Sequence, residues 1–390
     1  MKIGYLHIGE PTHGIVRYGR LLASEAKTRS DLEVVEAEVV LTGDANHDQN
    51  QLIAAAQQLS QADLVHLQHN AQIWGGREHQ LKHLHAFLQS CTTDARLVTL
   101  HDIFYPTASA QLLRYIFDGK QPVRNLLALL KAIAREQLSP NVRALRKVTS
   151  WCNRALICTE EESRRLKGYV DSNKVRVVPH FVEDRPIAIS PIEARKQLGL
   201  EGKLVITLLG FIYRGKGHDL LVKALPLLPP ECTVIFAGGL GHEDFLHEVI
   251  SLAEREGVRD RIHVTGYLSE QDQDLYLAAT HLAVCPFAQT SASGSLSTWI
   301  SVNQTIIASN LPQVAEYNTL EPYAISTFYP YTPTALAEAI QKAILCSNLG
   351  DNHIVSQLRQ QLRMPVIFDH HLNCYNDAIS STKDVESISK

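Results

Sequence analysis

The chain has 390 residues, more than one hydrophobic core usually serves, and its 45% hydrophobic content can fill two cores of roughly 150–200 residues each. Lys and Arg total 37 against 41 Asp and Glu, a formal charge of −4, which excludes a protein that coats nucleic acid through overall charge. No apolar run approaches the ~20 residues of a membrane-spanning helix, and MKIGYLHIGEP enters an apolar strand without the long apolar segment of a signal peptide. A cytoplasmic protein is expected. The seven cysteines, Cys91, Cys152, Cys158, Cys232, Cys285, Cys346 and Cys374, are odd in number and widely spaced, so most are expected as small buried hydrophobes rather than disulfides or zinc ligands.

Strands are predicted in the first half at Lys2–His7, Leu32–Val40, Leu64–Leu67, Leu97–Leu100, Ala155–Cys158 and Val175–Val178. Helix-like spacing falls between them at Gln51–Leu59, His79–Leu88 and Glu160–Leu166. A second series follows, with strands at Leu204–Leu209, Thr233–Ala237, His263–Gly266, Leu282–Cys285 and Thr305–Ala308 and helices at His218–Leu225 and Phe245–Glu256. Strands alternating with helices predict an α/β fold of two parallel sheets, each covered on both faces, with ligands beyond the carboxyl ends of the strands. The expected division is 1–182, 183–370, and a C-terminal helix or polar tail at 371–390, with function in a cleft between the halves.

Residues 120–147 combine Lys120, Arg124, Lys131, Arg135, Arg143, Arg146 and Lys147 with Leu126, Leu127, Leu129, Leu130 and Ile133, against the single acid Glu136. Two readings stand here: a face that rests on an anionic membrane or acidic substrate, or a solvated amphipathic helix limited by Pro122 and Pro140.

The segments that can carry chemistry lie at predicted strand ends. Gly210-Phe211-Ile212-Tyr213-Arg214-Gly215-Lys216-Gly217 offers a tight turn with two cations for phosphate oxygens, although it is neither a P-loop nor a GxGxxG fingerprint. An ordinary turn with surface cations is the alternative. Gly238 and Gly239 in FAGGLGH admit a nucleotide beside His242, or simply form a turn. In QTSASGSLST, the hydroxyls and backbone N–H groups of Ser293, Gly294 and Ser295 form an anion cradle, or Ser291, Ser293 or Ser295 merely caps a helix. Absence of GxSxG argues against a serine nucleophile. In the first half, His13 and Gly14 follow one strand, His66, His69 and Asn70 another, and His101-Asp102 a third. Convergence on one rim favours His101 as a group that orients a sugar hydroxyl or stabilises charge. No HExxH or compact carboxylate set points to a metal.

In combination, these segments resemble the retaining glycosyltransferase family 4, whose members have the GT-B architecture. The resemblance rests on Pro11 and Gly14, VTLHD at 98–102, ICTEEES at 157–163, VVPH at 177–180, GFIYRGKG at 210–217, FAGG at 236–239 and TIIASNLPQVAE at 305–316, and spans most of residues 1–370. It implies transfer of a glycosyl group from a nucleotide sugar with retention of configuration, to a glycan or lipid-linked acceptor, with no cofactor and no nucleic-acid partner. Lys216 and Arg214 would neutralise the pyrophosphate, His101 would act on the transferred sugar, and domain closure would exclude water. Gly14, Gly210, Gly238, Ser293–Ser295 and Glu316 would hold the donor, and His13, His69 and Asn70 the acceptor. The chain departs from the family pattern in four places: Phe211 replaces an arginine, Thr290 and Thr298 replace the paired glutamates, and His180 replaces an asparagine. A sugar-nucleotide-binding protein without turnover and a protein-interaction scaffold are therefore the alternatives.

Overall fold

The computed structural model describes residues 1–10, 13–101, 103, 126, 130–131, 133–135, 137–290, 292–346 and 349–388. Two compact units result, Met1–Pro179 with Pro365–Lys390, and His180–Met364.

The first unit is built on β1 (Lys2–Ile8), β2 (Glu33–Val39), β3 (Leu64–His69), β4 (Ala95–Leu100), β5 (Arg154–Ile157) and β6 (Val175–Val177), in the order β2-β1-β3-β4-β5-β6. Every pairing is parallel. Helices α1 (Gly14–Thr28), α2 (Ala45–Leu59), α3 (Gly76–Ser90), α4 (Pro140–Trp151) and α5 (Glu160–Leu166) occur between the strands. Their starts are written in the sequence. Asp44 accepts from the N–H groups of Asn46 and His47, and Ser139 accepts from Val142 with Pro140 in the first turn. The ICTEEES segment is a capping box, in which Thr159 accepts from Glu162 N–H and the Glu162 carboxylate accepts from the N–H groups of Cys158 and Thr159.

The second unit contains β7 (Leu204–Leu209), β8 (Cys232–Ala237), β9 (Ile262–Gly266), β10 (Leu282–Cys285), β11 (Ile306–Ser309) and β12 (Ile325–Phe328), in the order β12-β11-β10-β7-β8-β9 and again parallel throughout. Its helices are α6 (Pro191–Gln197), α7 (His218–Ala224), α8 (Glu243–Arg255), α9 (Glu270–Ala279), α10 (Gly294–Ser301), α11 (Pro312–Leu320), α12 (Pro333–Leu345) and α13 (His353–Leu362). Ser190-Pro191 and Thr332-Pro333 repeat the cap-then-proline start of α4. Strand β8 is buried along its whole length, as a central parallel strand covered on both faces must be. Strand β12 was not predicted, because it is a four-residue edge strand whose middle residues, Ser326 and Thr327, face solvent.

The last helix, α14 (Met364–Ile388), belongs to the first unit rather than to the domain that precedes it in sequence. The reason lies on one helical face, where Ile367, Phe368, His371, Tyr375 and Ala378 are buried. Tyr375 Oη is hydrogen-bonded to Tyr5 Oη at 3.1 Å and to His66 Nδ1 at 2.8 Å, and His66 Nε2 is in turn 2.8 Å from Thr99 Oγ1. Asp377 forms a bidentate pair with Arg154 at 2.6 and 2.7 Å and also accepts from Arg176 at 3.1 Å. Polar positions on β1 and β3 thus find a partner that α14 supplies, and His66 in turn partners Thr99 on β4. Burial drives the His66 imidazole well below its ordinary pKa, so it sits in the core as the neutral form. Of the seven cysteines, six are buried and Cys346 is exposed.

Replacing Tyr375 with Phe removes a hydroxyl that serves both Tyr5 and His66. We expect a loss of about 1–3 kcal/mol from the stability of the first unit, read as a lower urea midpoint.

Candidate functional site

In the second unit, β7 lies between β8, which follows it in sequence, and β10, which comes much later. The winding direction reverses at this place, so the segments after β7 and β10 leave in opposite directions and open a crevice beyond the strand ends. The two segments nonetheless touch at their bases. Gly217 has φ +96°, and a Cβ there would stand 2.0 Å from the carbonyl oxygen of Pro286, while Ala288 N–H donates to Gly215 O at 2.8 Å. Only glycine meets both the backbone conformation and the contact.

This junction places the Lys216 side chain. Its Nζ donates to Ser295 Oγ at 3.2 Å, and Ser295 Oγ lies 3.1 Å from Ser293 Oγ. Ser293 caps α10 by accepting from Leu296 N–H at 3.4 Å. The ammonium is also 5.3 Å from the centre of the Phe287 ring and 5.7 Å from that of Tyr213. A Cβ on Gly210 would stand 2.6 Å from Nζ, so the missing side chain there is the room that the ammonium occupies. With Lys216 only 7% exposed, burial brings its pKa from 10.5 down to about 8. A positive charge, two hydroxyls and the first N–H groups of a helix therefore converge at Lys216, Gly210, Ser293, Gly294 and Ser295, a set of groups chemically able to receive an anion.

The other residues expected on this side have different surroundings. Arg214 is exposed, pairs with Glu248 of α8, and lies with its guanidinium 5.1 Å from the centre of the Phe245 ring. Gly238 receives backbone: a Cβ on it would stand 2.5 Å from Gly210 O, which explains this glycine by packing between neighbouring strand ends. His242 is the exposed residue before α8. Glu316 is half-buried one turn beyond Gln313 on α11, and Gln313 Nε2 donates to Thr290 O at 2.9 Å. Thr298 Oγ1 bonds within α10 to Gly294 O at 2.9 Å. The ring of His180 has its Nδ1 3.2 Å from Ser297 Oγ. Exposed Phe211 and Tyr267 flank Gly239, a pairing the sequence reading missed because the two lie 56 positions apart, on the segments after β7 and β9.

In the first unit, the winding reverses between β1 and β3. His13, exposed, caps α1 by accepting from Ile15 N–H on Nδ1 at 3.3 Å, and Gly14 opens that helix at a point where an added Cβ would meet none of the described residues within 4 Å. His69 ends β3 and is 6% exposed; its Nε2 has no hydrogen-bond partner among the described residues, and burial lowers its pKa to about 4. Asn70 Oδ1 accepts from Gln72 N–H at 2.8 Å. His101 follows β4, donates its backbone N–H to His69 O at 2.9 Å and its Nε2–H to Gln68 Oε1 at 2.8 Å, and meets the Tyr18 ring edge-on at 5.1 Å. His69, Asn70 and His101 together line a cavity of about 330 Å³, to whose lining His13 and Gly14 do not contribute.

Asp102, Pro11, Ser291, Lys120, Arg124 and Glu136 lie outside the described residues. Among the described residues there is no group of three or more His, Cys, Asp or Glu side chains that could hold a metal, and no helix is long and apolar enough to cross a membrane.

Residues 191–359 match the family described as Glycosyl transferases group 1. A search of curated proteins gave no match. Among solved structures, Anabaena Alr3699/HepE in complex with UDP and glucose superimposes with a TM-score of 0.68 at 15% identity, over 97% of this chain and 100% of that one. Sucrose-phosphate synthase from Thermosynechococcus elongatus gives 0.68 at 15% identity over 98% and 100%. WaaG, a glycosyltransferase involved in lipopolysaccharide biosynthesis, gives 0.59 at 16% over 98% and 99%.

The buried ammonium has a measurable consequence. A lysine whose folded pKa lies below its unfolded one destabilises the fold fully below about pH 8, and the penalty fades as pH rises from 8 towards 10.5. Lys216→Met is therefore expected to raise stability at pH 7 by about 1–3 kcal/mol and to lose most of that gain at pH 10, measured by urea denaturation at the two pH values. Two α/β units of six parallel strands each, superimposing on solved GT-B enzymes over nearly their whole length, give the chain the GT-B fold, and residues 191–359 of its second unit are similar to group 1 glycosyl transferases.

Proposed function

We propose that this protein is a retaining hexosyltransferase that moves a sugar from a nucleotide-sugar donor to a hydroxyl of a glycan, glycolipid or cell-envelope acceptor. The observation that carries this reading is the Lys216–Ser295 cradle at the winding reversal of the second unit, inside the segment that matches group 1 glycosyltransferases. Solved relatives of the same fold that were captured with UDP or UDP-glucose support a nucleotide diphosphate as the leaving group.

In this scheme the bond between the anomeric carbon and the diphosphate oxygen breaks, and the acceptor oxygen bonds to the same carbon on the same face. The departing diphosphate takes the acceptor proton. Lys216, the Ser293 and Ser295 hydroxyls and the N–H groups of Gly294 and Ser295 receive the charge that develops on the leaving oxygens. Gly210 leaves room for the Lys216 ammonium and Gly238 for the Gly210 backbone, Gly14 and Glu316 are assigned to the donor, and Arg214, though paired with Glu248, adds positive potential at the edge. Phe211 and Tyr267 offer ring faces for a nucleobase over Gly239. His101, His69, Asn70 and His13 serve the acceptor and the transferred sugar. Exposed Leu126, Leu130, Ile133 and Leu138 lie in one segment with Lys131, Arg135, Arg143, Arg146 and Lys147, which suits peripheral contact with an anionic membrane on the cytoplasmic side.

Incubation with UDP-, GDP- and ADP-sugars and mixed glycan and lipid acceptors should yield a glycosylated product by mass spectrometry. Saturable donor binding without product would instead favour the binding-protein reading, and neither would favour the scaffold. Because Lys216 loses its proton above about pH 8, affinity for the donor's nucleoside diphosphate should weaken roughly tenfold between pH 7 and pH 9. Calorimetry should show this dependence removed in Lys216→Arg, whose charge persists.

A further inference from the structure

We propose that the cavity inside the first unit holds one uncharged, sugar-sized polyol, the end of the acceptor that receives the transferred residue, and that Gln80 selects among its hydroxyls. The inference rests on the transferase reading and narrows its acceptor.

Three observations lead there. The cavity, about 330 Å³, suits a single small ring more than an extended chain. Its wall alternates uncharged hydrogen-bonding groups, from His69, Gln80 and Asn141, with the apolar side chains of Val142, Leu145 and Leu166. A pyranose presents the same alternation, with hydroxyls at its edge and C–H bonds on its faces. Two wall residues also have buried polar atoms that have no hydrogen-bond partner among the described residues. Gln80 is fully buried; its Nε2 donates to Asn141 Oδ1 at 2.7 Å, while its Oε1 is unmatched. His69, 6% exposed, has an unmatched Nε2.

Buried polar atoms of this kind are ordinarily satisfied, so a carbonyl oxygen and a neutral imidazole on one wall call for a ligand that both donates and accepts. A hydroxyl does both. An anion would meet the lone pairs of Gln80 Oε1. Among the described lining residues the one formally charged side chain, Arg165, already donates to Ile103 O at 2.6 Å and lies 3.5 Å from the Glu161 carboxylate. His101 lines the same space, which puts an occupying ring beside the residue proposed to act on the sugar.

The test uses the full-length protein and saturation-transfer NMR with methyl glucoside, methyl galactoside and methyl mannoside, with inorganic phosphate as the anionic probe and UDP affinity as an independent readout. At least one methyl pyranoside should bind, at least tenfold more weakly to Gln80→Leu and measurably more weakly to Asn141→Ala, a substitution at an exposed position that keeps the fold testable. UDP affinity should be unchanged in both variants. Failure of all three pyranosides to bind, pyranoside binding indifferent to both substitutions, or phosphate binding that the variants abolish would overturn the proposal. Loss of UDP binding in the unsubstituted protein would refute the transferase reading instead, and with it the assignment of the polyol as acceptor.

Discussion

The contact of Gly217 with the carbonyl of Pro286 fixes the chemistry of the second unit. Parallel strands on either side of a winding reversal send their following segments apart, and a crevice opens by default. This chain pins the bases of the two segments together, with a glycine whose Cβ would overlap a backbone oxygen at 2.0 Å. Lys216, one residue earlier, is then held against Ser295 and the rings of Tyr213 and Phe287 instead of extending into water. The fall in its pKa to about 8 measures what that position costs the fold. A cation kept partly desolvated interacts strongly with an incoming diphosphate because little water has to be rearranged when the ligand arrives.

A different constraint organises the first unit. Its sheet has histidines, a tyrosine and a threonine at positions that a parallel sheet normally fills with aliphatics. Tyr5 and His66 are tolerable there because each is hydrogen-bonded to Tyr375, and Thr99 because it is bonded to His66; α14 is drawn to the first unit by that network and by the Asp377 pairs with Arg154 and Arg176. The polar character continues to the strand ends, where His69 and His101 meet the cavity. The same strand that needs α14 for its interior thus supplies the cavity with its unmatched imidazole.

Much of the fold could be read from the sequence because its cues are local. Aliphatic runs such as Leu204–Leu209 are strands wherever they are packed, and pairs such as Ser190-Pro191 begin helices by their own chemistry. The four-residue strand β12 has two outward polar residues and no such cue. The course of α14 depended on partners more than 300 positions away, Tyr5 and His66 among them. At the candidate site, the glycine-rich turn at 210–217 was legible but the fates of its cations were not. Arg214 and Lys216 are two residues apart, yet one pairs with Glu248 at the surface while the other is buried against Ser295. Nothing in the sequence around Gln80, an ordinary helical glutamine, distinguishes it from its exposed neighbours; only the packing of α3 beside Asn141 does.

The central claim is that Lys216 is a desolvated cation kept for a diphosphate. The direct measurement is the pKa of its side chain by NMR of lysine-labelled protein, assigned with Lys216→Arg and repeated with saturating UDP. The account predicts a value near 8 in the free protein and a rise towards the ordinary lysine range when UDP binds. A pKa already near 10.5 without ligand, or one that UDP leaves unmoved, would contradict it.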